Sequence, residues 1–203
     1  MKFSVDKDTL LQALQHVNKA VPTRSTLPIL SCALFDIKEK KLTIRATNLE
    51  VYISVNIEID AGNLGAIAIP INTLLEITSA MPQEILNFNI SDTGKVEIKN
   101  TCGKYTIMGQ HVEEFPAEPH IEKGNSLTIN PSELKNIIEN TVYATSKDEL
   151  KPVLQGVFIV VSQKGLTAVS TDGHRLVKLE KNNIKGGSFE GSVVIPVKFL
   201  LML

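Results

Sequence analysis

The sequence has no long hydrophobic run. Its longest uninterrupted apolar stretch reaches only from Val157 to Val161, whereas a membrane-spanning helix needs about 20 apolar residues. The opening stretch from Met1 to Asp6 lacks the apolar region and the small-residue cleavage site of a signal peptide. Hydrophobic residues nevertheless make up 43% of the 203 residues, which is enough for a packed core, so we expect a soluble globular protein. Because the start of the sequence does not resemble a signal peptide, we expect it in the cytoplasm.

Cysteine is scarce, and the motifs of common cofactor sites are missing. Cys32 and Cys102 lie far apart without the spacing of metal ligands, so we expect two reduced, mostly buried thiols and no zinc or redox chemistry. The stretch from Gly62 to Gly65 lacks the spacing of a phosphate-binding loop. No metal or cofactor is expected.

Neither sign of charge dominates. The chain has 21 basic and 22 acidic residues, with 12 basic against 15 acidic up to Gly124 and 9 against 7 afterwards. Proteins that bind nucleic acid through many phosphate contacts carry a strong basic field. The composition therefore disfavours strong direct binding, and a DNA ligand would have to meet a local basic face.

The chain repeats itself at an offset of 124 residues. Phe3-Ser4-Val5 aligns with Leu127-Thr128-Ile129, and Pro28-Ile29-Leu30 aligns with Pro152-Val153-Leu154. The register holds for about fifty residues, and after a two-residue insertion it continues at an offset of 126, where Ile67 to Pro70 meets Val193 to Pro196. The sequence therefore predicts two copies of one structural unit.

Each copy is itself a doubled half, because residues 5–11 resemble residues 69–75 at an offset of 64. Period-2 and period-3.6 patterns predict a strand, a short amphipathic helix and then antiparallel strands in each half. The fold class is therefore α+β. In the first half the predicted elements are a strand over 2–6, a helix from Lys7 with Leu10, Leu14 and Val17 inward, and strands over 33–37, 41–47 and 50–59.

The predicted helices have polar outer faces with little charge. Asn130-Pro131 predicts a capped helix start, followed by an inward face of Leu134, Ile137, Ile138 and Thr141. Lys135, Asn136, Glu139 and Asn140 lie on its outer face, and the helix near 71–80 presents Asn72, Thr73, Glu76 and Ser79. Such faces fit either an ordinary solvated surface or a smooth lining that contacts a ligand loosely.

Comparison of the copies separates shared from unshared positions. Thr47-Asn48 and Thr171-Asp172 are shared and predict a turn whose backbone groups are satisfied by side chains. After them the copies diverge from Leu49-Glu50-Val51 to Gly173-His174-Arg175. Because glycine permits a positive φ that leucine resists, the second sequence fits either a tight turn with an exposed histidine or a surface recognition site.

The motif Thr171-Asp172-Gly173-His174-Arg175-Leu176 in a second repeat resembles the bacterial replicative sliding clamp family, the β subunit of DNA polymerase III. Thr26-Leu27-Pro28-Ile29-Leu30 and Met1-Lys2-Phe3 carry the same resemblance, which spans the whole chain. It implies the DNA clamp fold, with antiparallel sheets outside and helices inside. Family members have three such domains, and two chains close head to tail into a ring around duplex DNA.

The resemblance implies a processivity factor without catalytic residues, which holds DNA topologically and without sequence preference. Basic residues near the DNA would be Arg24, Lys147 and Lys151. Pro152-Val153 stands where the family carries aromatic residues, so only the basic residues of that loop are retained as DNA contacts.

The resemblance also implies partner sites. The expected partners are the DNA polymerase III catalytic subunit, the clamp loader and other proteins with a clamp-binding motif. A pocket for their short peptides would take its second-domain wall from Leu154, Thr171, Gly173, His174, Arg175 and Leu176. The ring interface would include the edge strand around Lys104, Tyr105 and Ile107.

The resemblance further implies a domain layout. Residues 1–124 would form a complete first domain, residues 125–203 a second domain that lacks its second half, and the third domain would be absent. A half sheet exposes an apolar face and an unpaired edge, so we expect poor solubility of this chain alone.

Two other classes of function fit parts of the sequence. In an enzyme, His174 beside Asp172 would be a base and its orienting group, but no nucleophile, second acid or metal cluster accompanies them by motif. A peptide-binding scaffold that does not bind DNA would share the pocket and lack the channel.

Overall fold

The computed structural model describes residues 1–22, 25–59, 62–118, 126–148, 150–182 and 189–203. The chain divides into two compact units, Met1–Pro119 and His120–Leu203. No helix in the described part of the chain is long and apolar enough to span a membrane.

The first unit contains the predicted doubled half. Its first half has strand β1, helix α1 and strands β2, β3 and β4, and its second half has strand β5, helix α2 and strands β6, β7 and β8. The bounds are β1 Lys2–Asp6, α1 Lys7–Asn18, β2 Cys32–Lys38, β3 Lys41–Thr47, β4 Tyr52–Glu58, β5 Gly65–Pro70, α2 Ile71–Ala80, β6 Ile85–Ile90, β7 Lys95–Lys99 and β8 Lys104–Met108.

The two halves exchange their first strands. One antiparallel sheet has the order β4-β3-β2-β5 and the other has the order β1-β6-β7-β8. Each sheet therefore takes three strands from one half and its fourth strand from the other half. Because each half supplies an edge that the other needs, neither half completes its sheet alone.

The helices begin where the sequence predicts. Asp6 caps α1 by accepting a hydrogen bond from Thr9 N at 2.9 Å, and the helix packs against α2 and against β3 and β4. Its buried residues are Leu10, Ala13, Leu14 and Val17. The α+β fold predicted for this chain is thus confirmed.

The second unit contains helix α3 (Pro131–Thr141), strands β9 (Gly156–Ser162), β10 (Gly165–Thr171), β11 (Leu176–Lys181) and β12 (Gly191–Pro196), and the short helix α4 (Val197–Leu200). The strands form one antiparallel sheet in the order β11-β10-β9-β12, the same arrangement as β4-β3-β2-β5. As predicted, Asn130 caps α3 by accepting from Ser132 N, with Pro131 in the first turn.

Residues 127–129 form no strand, although their counterparts 3–5 do. Leu127 and Ile129 still pack against the core of the second unit. In the first unit the strand that pairs with β1 is β6, whereas no described strand of the second unit pairs with residues 127–129. Residues 127–129 therefore contribute packing without a backbone ladder.

The cysteine prediction is right for one residue and wrong for the other. Both thiols are free; Cys32 is buried at the start of β2, where burial raises the pKa of its thiol. Cys102 is exposed, because Asn100 Oδ1 accepts from the backbone N–H groups of Cys102 and Gly103. This turn between β7 and β8 directs residue 102 away from the core.

The Thr-Asx turn has the same geometry in both units. Thr47 Oγ1 accepts from Leu49 N at 2.9 Å and Asn48 Oδ1 accepts from Val51 N at 2.8 Å. In the second copy Thr171 Oγ1 accepts from Gly173 N at 3.1 Å and Asp172 Oδ1 accepts from Arg175 N at 2.9 Å. This turn also explains why β4 starts at Tyr52 and not at residue 50 as predicted.

Leu49 adopts the positive φ that we expected only of its glycine counterpart. Its φ is 77°, against 92° for Gly173. The turn thus imposes the left-handed conformation on both copies. Glycine adopts this conformation without strain, whereas leucine is strained by it. A left-handed non-glycine residue costs about 1–2 kcal/mol.

We predict that Leu49→Gly stabilises the first unit. Relief of the left-handed strain outweighs the roughly 0.5–1 kcal/mol that a glycine costs in chain entropy, since the Leu49 side chain is 52% exposed. Urea denaturation should show a free energy of unfolding higher by about 0.5–1 kcal/mol.

Leu27→Gly is the matched control, because Leu27 is similarly exposed, at 46%, and has a φ of −102°. This variant should be less stable than the original chain. Equal destabilisation by both substitutions would show that Leu49 is not strained.

Candidate functional site

The predicted recognition motif forms the tip of the hairpin between β10 and β11. Thr171 pairs with Leu176 in the ladder, and the Thr171 hydroxyl donates to the carbonyl of Arg175 at 2.7 Å. Gly173, His174 and Arg175 occupy the exposed tip. A side chain at Gly173 would meet no atom within 4 Å, so its space is open to a ligand and its φ is the reason for glycine.

Asp172 organises this tip through backbone hydrogen bonds. Its Oδ1 accepts from His174 N and from Arg175 N, both at 2.9 Å. These two N–H groups, followed by the Arg175 side chain, hold the pKa of Asp172 down at about 2. The carboxylate is therefore charged at every physiological pH and acts as a fixed acceptor.

Arg175 is held by three contacts despite an exposed side chain. Its Nε donates to Asp172 Oδ2 at 3.0 Å, and its Nη2 donates to the carbonyl of Tyr143 at 2.6 Å. The guanidinium also lies 5.9 Å from the centre of the Tyr143 ring, within the range of a cation–π contact. Arg175 thus joins the hairpin to the segment that follows α3, and a ligand meets it in one orientation.

Tyr143 and Asp172 are site residues that sequence reasoning missed. Tyr143 belongs to the 3-10 turn Val142–Ala144 and is 56% exposed. The available signal was its aromatic side chain directly after the polar face of α3, but 32 residues separate it from Arg175. The sequence suggests a turn role for Asp172, or in an enzyme the orientation of His174, whereas its second oxygen in the structure orients Arg175.

Exposed or half-buried apolar residues lie on two segments, each of which is hydrogen-bonded to the stretch that follows α3. Leu176 is 64% exposed and Val153 is 69% exposed, while Leu154 is half-buried in the 3-10 turn Pro152–Gln155. The carbonyl of Leu154 accepts from Ser146 N at 2.8 Å. That bond fastens Leu154 to the same segment whose Tyr143 carbonyl holds Arg175, so the apolar and the donor groups belong to one connected surface.

His174 and Asp172 do not have the geometry of a catalytic base and its orienting group. Asp172 accepts from the backbone N–H of His174, and the described contacts include none to the imidazole ring. In a base-and-orienter pair the carboxylate would fix the ring. Asp172 fixes the turn and Arg175 instead.

The residues predicted to approach DNA are only partly described. Arg24 lies outside the described residues. Lys147 and Lys151 are exposed. Lys151 Nζ lies 3.9 Å from Asp148 Oδ2, and such a surface ion pair contributes little to stability. Asp148 Oδ1 accepts from Leu150 N and Asp148 N donates to Ser146 Oγ, so Ser146, Asp148 and Leu150 are linked by local hydrogen bonds.

The residues predicted for a ring interface lie on β8, which is the edge strand of its sheet. Tyr105 is 39% exposed, whereas Ile107 is nearly buried at 9%. Lys104 contacts Glu97 Oε1 at 2.6 Å. Hydrogen bonds from Lys104 and Lys95 lower the pKa of Glu97 to about 2, so this edge carries ionised groups beside one exposed aromatic ring.

Two family models match the chain. The model of the DNA polymerase III beta subunit N-terminal domain matches residues 1–119, and the model of the central domain of the same subunit matches residues 128–203. The two matches follow the two compact units of the structure.

Individual relatives agree with the family models. The beta sliding clamp of Streptococcus pneumoniae is 31% identical over 207 residues, which cover 98% of this chain and 54% of the relative. That of Pseudomonas putida is also 31% identical, with 100% and 56% covered. The chain thus spans about half the length of the curated relatives it matches.

Solved structures show the same similarity in three dimensions. The DNA polymerase III beta chain of Streptococcus pneumoniae superposes with a TM-score of 0.91 at 28% identity, covering 99% of this chain and 55% of that one. The DNA polymerase sliding clamp of Bacillus subtilis gives a TM-score of 0.88 at 27% identity, covering 100% and 55%.

We predict that Asp172→Ala and Asp172→Asn separate the two roles of this carboxylate. Asn48 forms the same turn in the first unit, so asparagine at 172 should keep the turn and lose only the charge that holds Arg175. Alanine should lose both the turn and the charge. The melting temperature should therefore be highest for the original chain, lower for Asp172→Asn and lowest for Asp172→Ala.

The pH dependence supplies the check on charge. Because the folded pKa of about 2 lies below the unfolded value of about 3.9, the stabilisation is present above pH ~4 and is lost as the pH falls towards 2. The difference between the original chain and Asp172→Asn should therefore shrink over that interval. A constant difference would contradict the assignment.

Proposed function

We propose, from the premise that this chain belongs to the DNA polymerase III beta subunit family, that it serves as a sliding clamp for DNA replication. It would keep a polymerase on duplex DNA without chemistry of its own. The observation that carries the proposal is the surface formed by Leu154, Leu176 and the clamped Arg175, which presents apolar area beside fixed donors, a combination suited to a short peptide.

Peptide binding at this surface has a simple physical basis. A peptide side chain would bury Leu176 and Val153, both of which are largely exposed. The Arg175 guanidinium and the open backbone at Gly173 would contact peptide carbonyls or polar side chains. Since Arg175 is already held by Asp172 and Tyr143, little conformational entropy is lost when it binds.

DNA contact in this proposal is weak and independent of sequence. The helices present polar faces with few charges, such as Asn72, Thr73 and Glu76 on α2. Lys147 and Lys151 would add a local basic contribution from an exposed loop. A ring that encloses DNA needs few phosphate contacts, because escape is prevented by closure.

Such a ring would form by self-association through β8 and its exposed Tyr105.

The proposal as a whole is tested by retention on DNA. The test uses the protein purified from its native cells, together with the polymerase and the clamp loader. It should remain on primed circular DNA and slide off linear DNA with free ends. Equal loss from both templates would rule out a clamp. Peptide binding without any retention would favour a scaffold that does not act on DNA.

We predict that Leu176→Ala weakens binding of a peptide that carries the clamp-binding motif of a bacterial DNA polymerase III catalytic subunit. The peptide would bury Leu176 in the complex, so truncation of this side chain should lower the affinity about tenfold. The affinity is measured by fluorescence anisotropy. Leu201→Ala is the matched control, because Leu201 has nearly the same exposure, 66% against 64%, and lies outside the proposed surface. An equal effect of both variants would refute the assignment.

We predict that Lys147→Gln and Lys151→Gln each reduce the salt dependence of duplex binding. Every phosphate contact removed should lower the slope of log affinity against log salt by about one. Lys164→Gln is the control, since Lys164 is an exposed lysine of the same unit in the turn between β9 and β10. Slopes that match those of the control would exclude these lysines as DNA contacts.

A further inference from the structure

A polar face of the first unit takes part in none of the contacts proposed above. It is formed by the outward side chains of β1, β6 and β7, where Ser4 pairs with Asn87 and Asn87 pairs with Lys99. The alternate side chains of these strands point into the core, including Phe3 and Phe88, whose stacked rings have centroids 4.6 Å apart. We name as the amide face only those outward side chains that line a cavity, together with Asn63 beside β1; it consists of Lys2, Ser4, Asn63, Asn87, Asn89 and Lys99.

The amide face is concave. Gly62 forms a bridge with Phe3, and Asn63 N donates to the carbonyl of Lys2 at 3.0 Å. The segment at 62–63 thus continues the sheet beyond β1 and forms one wall. The resulting cavity has a volume of about 410 Å³ and is lined by the residues of the amide face.

Its two lysines carry uncompensated charge. On the neighbouring strands Lys95 and Lys104 both contact Glu97 Oε1, at 3.0 and 2.6 Å. Lys2 and Lys99, in contrast, form no ion pair with any residue that the structure describes. They lie at opposite sides of the asparagine pair, one on β1 and one on β7. The charged residues that line the cavity are thus both lysines, and Glu97, which lies on the same face of β7, is paired with Lys95 and Lys104.

One amide group between the lysines, that of Asn87, is oriented as a donor. The Ser4 hydroxyl donates to Asn87 Oδ1 at 2.8 Å, which occupies the carbonyl end of that amide and leaves its NH₂ group for a ligand. The side chains of Asn63 and Asn89 form no hydrogen bond within the described residues. Ammonium and amide donors around a groove match carboxylates and backbone carbonyls.

We propose that the amide face binds an acidic, extended peptide segment of a partner protein. A segment with alternating acidic residues would place its carboxylates on Lys2 and Lys99 and its backbone on the asparagine amides. Single-stranded nucleic acid fits less well, because base stacking needs exposed aromatic rings and those of Phe3 and Phe88 are only 3% and 2% exposed. Its residues differ from those proposed around Arg175 and on β8, although Lys99 pairs across the ladder with Lys104 of β8.

The test uses the whole chain and a fluorescein-labelled peptide of alternating Asp and Ser, followed by anisotropy at about 50 mM NaCl, where screening is modest. Binding should be saturable, and Lys2→Gln and Lys99→Gln should each weaken it about fivefold. Lys41→Gln is the matched control, an exposed lysine at the start of β3 on the other sheet, and should leave the affinity unchanged. The peptide of alternating Asn and Ser should not bind.

Three results would overturn the proposal. The first is the same affinity for the original chain and for Lys2→Gln and Lys99→Gln. The second is an equal loss with Lys41→Gln, which would show a non-specific charge effect. The third is tighter binding of an oligothymidine of the same length that is lost in Lys2→Gln and Lys99→Gln, which would assign the face to nucleic acid. Circular dichroism of each variant confirms that the fold is retained.

Discussion

The exchange of first strands between half-repeats is the constraint on which the structure of the first unit depends. Each sheet is completed by a strand from the other half, β1 on β6 and β5 on β2. An unpaired strand edge leaves backbone donors and acceptors without partners and invites association. The exchange removes one such edge from each half and makes the two halves fold as one unit.

The exchange also decides where free edges and faces remain. In the first unit β4 and β5 end one sheet and β1 and β8 end the other, with single bridges from Phe3 to Gly62 and from Ala68 to Gln110 beyond β1 and β5; in the second unit β11 and β12 end the sheet. Val193 and Val194 on β12 are 42% and 38% exposed, and Phe199 of α4 is 39% exposed. In the first unit the corresponding Ile67 and Ala68 of β5 are buried, because the second half of that unit covers them. The proposed ring contact on β8 uses one of these ends.

A single type of turn supports the candidate site. The Thr-Asx turn is built by side-chain acceptors in both copies, and its left-handed residue is part of its geometry. In the second copy the acceptor is a carboxylate, whose second oxygen is free to hold Arg175. One change from amide to carboxylate, together with arginine three residues later, thus converts a structural turn into a surface that presents a fixed cation.

The sequence by itself determined the features that depend on neighbouring residues: the repeat offsets, the start of α1, the capped start of α3, the alternation of β3 and the Thr-Asx turns. Tertiary structure alone decided the features that depend on distant ones. The contact between Arg175 and the Tyr143 carbonyl spans 32 positions, and the exchange of first strands pairs β1 with β6. The exposure of Cys102 and the positive φ of Leu49 arise from local turns, but the preferences of cysteine and leucine do not predict them. Local patterns carry propensity, whereas packing selects among conformations that differ by only about 1–2 kcal/mol per residue.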